Sequence, residues 1–574
     1  MTLLSPTAAL AKIDIEIIGV TEPIEKNIRA FLSVTHYAGR DDLTPEVIAR
    51  LERRIPAETR SALQPLGYYT PTVSHSTTRA GDDWKIVIQA EAGRGVRISE
   101  VDIQIQGDGK ADEALVAILA RQELKPGGRL DHGAYERVKA ELVRVATSQG
   151  YLDAKLTRHE MTIDPLERRA VVALAMQTGA RYRFGTIDFF QDTLREDKAR
   201  RLLRMRSGDP YTLDALLESQ YILDDSQYFA NVEVEVGEAD SEQLSVPLTI
   251  RADRNKRNGY AVSAGFGTDT RARGKVTWDN RYLNKRGHRS QVEVLGSAIV
   301  QQATAKYIVP VMDIALEKLE FSVTGKKEEL GDVVSRRTDF GLGLTQALGS
   351  WQRVTFVRFS NESNEKLVND GIPLDVPAQT FLILPGISFS TLPSRFLERQ
   401  PRRYSLFAEL TGSPQSLGSD ATFLQLRLQA ERVFDLAPRW HLRLRGQAGI
   451  TWSEDFSTLP VSHRFFAGGD NSVRGFGLNE LSPVNDVTGA RVGGRHLFVA
   501  SVEVERDLPK DFGVAVFTDA GHAFDNFGDP LEYSAGIGGR YRIAGVASLG
   551  IDVAQALSDT HRSPRFHLRL TTLF

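Results

Sequence analysis

Cysteine is absent from all 574 residues, which excludes disulfides, thiolate metal sites and cysteine nucleophiles. Neither sign of charge dominates. The net charge of −3 gives no reason to expect a nucleic-acid partner. No run of eighteen apolar residues occurs, so a membrane-spanning helix is not expected. A membrane itself is not excluded, because a transmembrane barrel shows lipid only every second residue. Its mean hydropathy then stays modest, as the value of −0.25 does here. Catalytic signatures are missing as well. The eleven histidines are scattered, no HExxH or GxSxG occurs, and "GTDTRARGK" (267–275) has the wrong spacing for a phosphate loop. No catalytic residue, no metal site and no cofactor is expected, and the chain does not read as an enzyme.

What is present falls into two halves. In the first, three segments share one layout. Each opens on an alternating strand: "KIDIEIIG" (12–19), "VDIQIQG" (101–107) and "TIDFF" (186–190). Each passes through helical patterning to an aromatic turn at Tyr68, Tyr151 or Tyr228, and closes on another strand. The turns are 83 and 77 residues apart, too long a period for a solenoid and suited to a small α+β domain in tandem. Residues 1–11 read as a residual signal peptide or leader, with Ala9-Leu10-Ala11 in the small-x-small form of a cleavage site. The expected units are 12–93, 94–179 and 180–255. Their aromatic turns are expected to plug the gap between the second helix and the next strand.

From residue 256 to 574 the pattern changes to strands. In "WHLRLRGQAGITW" (440–452) the residues Trp440, Leu442, Leu444, Ile450 and Trp452 share one face, and His441, Arg443, Arg445 and Gln447 share the other. A polar face rich in arginine and glutamine suits a wet lumen. Trp440 and Trp452 would stand about 30 Å apart vertically on a tilted strand, the separation of two aromatic girdles. About sixteen strands are expected, the first near 260–267 and the last near 565–574. The fold class is therefore tandem α+β domains followed by a transmembrane antiparallel β-barrel of about 16 strands.

One long gap interrupts the barrel pattern, about 453–494, and it carries "RFFAGGDNSVRGFGLNEL" (464–481). Arg474 sits between Val473, Gly475 and Phe476, where solvated residues would be ordinary. Two-residue parity puts Phe517, Asp519 and Gly521 on one strand face and points Glu503 away from Val502 and Val504, so both acids are expected in the lumen. A guanidinium away from bulk water needs such carboxylates. Gly475 and Gly477 are expected to let the backbone turn tightly beside it.

The three N-terminal units resemble POTRA domains, most closely in "GDPYTLDALLESQYILDDSQYFANVEVEV" (208–236). "VRGF" (473–476) and "FTDAG" (517–521) resemble the sixth-loop and inner-wall motifs of the BamA-type superfamily of outer-membrane insertases. Phe476 stands where that motif often has tyrosine. The terminal alternating strand "RFHLRLTTLF", ending on Phe574, resembles the assembly signal of outer-membrane proteins. With three units rather than five or two, and with "RFFAGGDNSVRG", the chain is most similar to the TamA branch, the outer-membrane subunits of the translocation and assembly module.

The resemblance implies a place in the bacterial outer membrane with POTRA domains in the periplasm, and a loop folded inward so that Arg474 docks on Asp519 and Glu503. It implies that the barrel opens between its first and last strands, which carry Gly265, Gly267, Phe566, Leu568 and Leu570. The implied partners are a TamB-like inner-membrane-anchored protein, unfolded outer-membrane protein or autotransporter clients, and outer-membrane lipids. Two basic clusters, Arg251 to Arg257 and Arg281 to Arg289, fall on the expected periplasmic rim and read either as solvated turns or as headgroup contacts. A dedicated two-partner-type secretion pore and a passive diffusion channel remain as alternatives.

Overall fold

The computed structural model describes residues 13–37, 43–80, 83–366, 376–392, 404–485, 489–543, 547–559 and 561–572. The leader at 1–11 and Phe574 lie outside them. Three small sheets share one order, with the last strand in the middle. The first comprises β1 (Ile13–Ile18), β2 (Thr72–Ala80) and β3 (Asp83–Glu91); the second β4 (Arg97–Gln106), β5 (Lys155–Asp164) and β6 (Arg169–Gln177); the third β7 (Arg183–Phe190), β8 (Phe229–Val236) and β9 (Ser245–Arg254). In the first two sheets the opening strand pairs parallel to the central one and the hairpin partner pairs antiparallel. Alternation decides the buried face: Ile13, Ile15 and Ile17 of β1 join Ile86 and Ile88 of β3 beneath the helices. The helix His132–Ser148 begins where the Asp131 carboxylate accepts from the Gly133 amide.

The chain divides into two compact units: Met1–Ile187 with Met205–Leu217 and Val236–Leu248, and Asp188–Arg204 with Glu218–Glu235 and Thr249–Phe574. Within the first, the Gly-Tyr turns do more than plug a gap. Gly67 and Gly150 both take left-handed backbone, φ +86° and +92°. Their carbonyls accept from Val96 and Tyr182 at 2.8 and 2.9 Å. A side chain at Gly150 would lie 2.5 Å from the Tyr211 carbonyl oxygen, which is why only glycine fits. Tyr151 is buried as expected, but Tyr68 is only half-buried and instead accepts from the Arg129 guanidinium at 2.9 Å. Within the second unit Gln227 holds the same left-handed turn, φ +63°, before a buried Tyr228 that donates to the Gly287 carbonyl at 2.6 Å. Burial pushes the Tyr228 phenol up to about 12, against the opposing pull of Arg289.

The second unit also contains a closed barrel of sixteen strands among the described residues. They are β10 (Asn258–Gly267), β11 (Arg271–Asn280), β12 (Arg289–Ser297), β13 (Val300–Pro310), β14 (Lys318–Leu330), β15 (Val333–Leu348), β16 (Trp351–Lys366) and β17 (Gln379–Thr391). The circuit continues through β18 (Tyr404–Ser413), β19 (Phe423–Ala437), β20 (Trp440–Ser453), β21 (His496–Asp507), β22 (Phe512–Phe524), β23 (Glu532–Ile543), β24 (Ala547–Ala556) and β25 (Arg565–Thr572). Each pairs antiparallel with the next. Large apolar side chains at Tyr260, Val262, Phe340, Val516, Ile537 and Phe566 are exposed on the outer wall, while Thr304, Glu362, Gln425 and Asp552 are buried within. A soluble sheet would not leave that many apolar side chains uncovered; lipid is the solvent that suits them. On the rim, the expected basic clusters are engaged by the protein: Arg251 with Glu235, Arg254 with Asp192, and Arg281 on the Lys256 carbonyl.

Candidate functional site: the lumen loop and the barrel seam

Between β20 and β21, residues 454–485 and 489–495 lie against the inner wall. Their apolar side chains are the reason. Phe465, Ala467, Val473, Phe476 and Leu481 form one cluster with the wall residues Val499, Ala523 and Ala556. Val461, Ala490 and Val492 pack on Val333, and Leu459 packs on Leu382, Leu384 and Phe423. The loop thus buries its own core against several strands, and backbone bridges Phe465–Gly494 and Ala467–Leu481 close it on itself.

The expected tight turn is present at Arg474 and Gly475, where the Phe476 amide donates to the Val473 carbonyl at 3.1 Å. Left-handed backbone lies just ahead of that turn, at Gly468 and Gly469, φ +98° and +94°. Gly475 has no such backbone. It is required by closeness, since a Cβ there would lie 2.7 Å from the Ser534 Cβ and 2.9 Å from the Ala556 backbone. The loop meets the wall backbone to backbone at this point.

Arg474 is 2% exposed. Its Nε and Nη2 donate to the two oxygens of Asp519, each at 2.8 Å, and its backbone amide donates to Oδ2 at 3.1 Å. Nη1 donates to Glu503 at 2.7 Å. The guanidinium carbon lies 3.2 Å from the centre of the Phe517 ring, whose face carries partial negative charge. Val473 and Phe476 are buried on either side. Gly521 admits the neighbouring strand: a Cβ would stand 2.5 Å from the Phe498 carbonyl oxygen.

Two-residue parity alone left part of this cluster unfound. Asp552, 0% exposed, is a third acid, bonded to Arg540 and, at 2.7 Å, to Arg569, with Arg474 Nη1 at 3.7 Å. Arg540 also reaches Glu503 at 3.2 Å, and Ser501 donates to Asp519 at 2.7 Å. Three guanidinium groups and three carboxylates therefore share charge across β21 to β25. Asp552 lies between Ile551 and Val553, so its inward direction was legible from alternation; its height beside Arg474 was not.

The residues expected at the seam are only partly together. Among the described residues β10 and β25 pair through three, Gly265 with Thr571, Phe266 with Leu570 and Gly267 with Arg569, whereas β10 pairs with β11 through ten from Asn258 to Gly267. Leu568 lies just beyond, its amide donating to the Thr268 hydroxyl at 2.8 Å. Phe566 is exposed on the outer wall and pairs only with Val553 of β24. At Gly265 the missing Cβ makes room for the Arg273 side chain and for the Leu570 carbonyl, 2.9 Å away.

The profile of the Omp85 superfamily domain matches residues 249–574, more than half of the chain. The chain belongs to the Omp85 superfamily. A second profile, POTRA domain TamA domain 1, matches residues 14–92. Among curated proteins the Omp85 chain is 22% identical, over 365 residues, to "Outer membrane protein assembly factor BamA" of Nitratidesulfovibrio vulgaris. That alignment takes in 61% of this chain and 45% of the relative, so the chain spans about half the length of that protein. Among solved structures it is similar to BamA from Haemophilus ducreyi lacking POTRA domains 1–3, with a TM-score of 0.59 and 15% identity over 83% of this chain and 99% of that one. CdiB from Acinetobacter baumannii gives a TM-score of 0.46 at 13% identity, over 83% and 90%. An Omp85 barrel of this kind places the protein in the bacterial outer membrane.

Proposed function

We propose that this chain is a TamA-type assembly factor that delivers β-barrel clients, autotransporters among them, into the outer membrane through its own seam. The N-terminal units, read as POTRA domains with boundaries near 12–93, 94–179 and 180–255, face the periplasm and receive unfolded chains by strand addition to a sheet edge. A TamB-like inner-membrane-anchored protein is the proposed partner on that side. The match to a TamA first domain over 14–92 supports this branch of the superfamily.

The observation that carries the reading is the contact between β10 and β25, three pairs among the described residues, beside ten pairs between β10 and β11. Each backbone bond contributes about 0.5–1.5 kcal/mol net, so a junction with few pairs is the one that parts most readily. In hydrocarbon an unpaired strand edge is costly, and an arriving client strand satisfies it. The docked loop, filling space against the wall of the lumen, favours a gated machine over a passive diffusion channel.

The test is reconstitution. Lipid vesicles containing the purified chain are expected to assemble an added, urea-unfolded autotransporter β-domain into protease-resistant form several times faster than empty vesicles. Vesicles containing a mutant lacking residues 12–255 are expected to lose that gain. Equal rates in all three would remove the assembly role. Steady ion conductance unaffected by the deletion would favour a channel.

A further inference from the structure

Near the seam, three side chains from distant parts of the chain converge: Asp269 in the turn between β10 and β11, Asp470 in the lumen loop, and His567 on β25. One ligand atom from each lies within 4.8 Å of the others. His567 is 1% exposed and Asp470 is buried. The imidazole is oriented from behind. Its Nε2 lies 2.6 Å from the Arg474 carbonyl oxygen, which can only accept, so Nε2 carries the proton. In the neutral ring that leaves the bare Nδ1 lone pair aimed at the Asp470 carboxylate, with which it is in contact. Without a second proton on the ring an acceptor faces an acceptor in a buried place, with a second carboxylate alongside. Asp269 Oδ2 is held there by the Asp470 amide at 2.6 Å.

We propose that this cluster is a divalent-cation site that ties the lumen loop and both seam strands together. A histidine whose other ring nitrogen donates to a backbone carbonyl is the usual presentation of a metal-ligating imidazole. One imidazole and two carboxylates suit an ion of the zinc class, with bonds of about 2.0–2.2 Å and a fourth position left for water. Charge agrees. A divalent ion with neutral imidazole matches the two carboxylates in charge. Arg565 is the other positive group acting on Asp269, from the side of β25. Access exists: a cavity of about 480 Å³, lined by Asp269, Asp470, Gly267 and Gly468, opens beside the cluster. The three ligands are too far apart in sequence to show metal-site spacing, which is why no metal was expected from the sequence.

The consequence is a removable staple. Asp269 and His567 belong to the two sides that separate if β10 and β25 part, so a bound ion holds the seam shut. The site itself does not depend on the assembly role.

The experiment uses the full-length chain in detergent, stripped with EDTA, dialysed against micromolar ZnCl2 and then assayed for bound zinc by elemental analysis. The wild-type protein is expected to retain one equivalent and to unfold at a temperature several degrees higher than the stripped form. Asp269→Asn and His567→Gln are expected to retain none and show no shift; the less buried Asp269 variant covers the case in which His567→Gln does not fold. MgCl2 in place of zinc is expected to give no shift. No retained zinc in the wild type would show that only a proton occupies the cluster and would overturn the proposal. Equal retention in wild type and Asp269→Asn would show binding elsewhere and overturn it as well.

Discussion

Arg474→Ala is expected to lower barrel stability by about 3–5 kcal/mol, because it strips a cation from buried carboxylates that have no water to turn to. Asp519, 1% exposed, loses two side-chain bonds at once, and Glu503 loses its 2.7 Å partner while keeping Arg540. The loop loses its polar anchor but not its apolar one, since Phe465, Val473 and Phe476 still pack on the wall. The expected picture is therefore a barrel that forms, loses its heat-resistant migration at a lower temperature, and becomes cleavable within 454–495. Arg474→Lys should recover little. An ammonium is a point charge and cannot bond both Asp519 oxygens while reaching Glu503. Heat-modifiability on gels with limited proteolysis checks both. Unchanged protease resistance in Arg474→Ala would mean that packing alone holds the loop.

The second large effect is expected at Asp552. Asp552→Asn leaves Arg540 and Arg569 facing each other with one carboxylate, Glu503, between Arg540 and Arg474. The expected loss is again about 3–5 kcal/mol. Coupling separates this from a general packing defect. Arg569→Gln combined with Asp552→Asn should cost less than the sum of the two single changes, by about 0.5–3 kcal/mol. Unfolding in guanidinium with the barrel in lipid vesicles gives the four values needed. Strict additivity would show that Asp552 acts alone.

The sequence made the inside and the outside of the barrel legible, and much less of who stands beside whom. Alternation is a property of one strand, so Glu503, Asp519 and Asp552 could each be placed in the lumen without any partner. Their mutual height depends on register, which pairs Asp519 with Ser501, Glu503 with Phe517 and Asp552 with His567, and no local pattern fixes that. Arg474 was found because it is an anomaly, a cation amid apolar loop residues. Arg540 and Arg569 were not, because an arginine on a lumen face looks ordinary. Gly475 looks like a turn residue in sequence, and only the wall at Ser534 and Ala556 shows that it serves close approach. The Gly-Tyr turns were visible as a repeat. That Tyr68 would be reached by Arg129, far along the chain, was not.

Lateral opening of the seam is tested most directly by locking it. The chain contains no cysteine, so a pair introduced as Phe266→Cys and Leu570→Cys supplies the only thiols. These two residues pair directly across β10 and β25. Paired residues of antiparallel strands have Cα atoms about 4.5–5.5 Å apart, within the range a disulfide spans. The oxidised protein in vesicles is expected to lose client assembly and to regain it on reduction, with either single cysteine variant active throughout. Full assembly activity with the seam quantitatively crosslinked would contradict lateral opening.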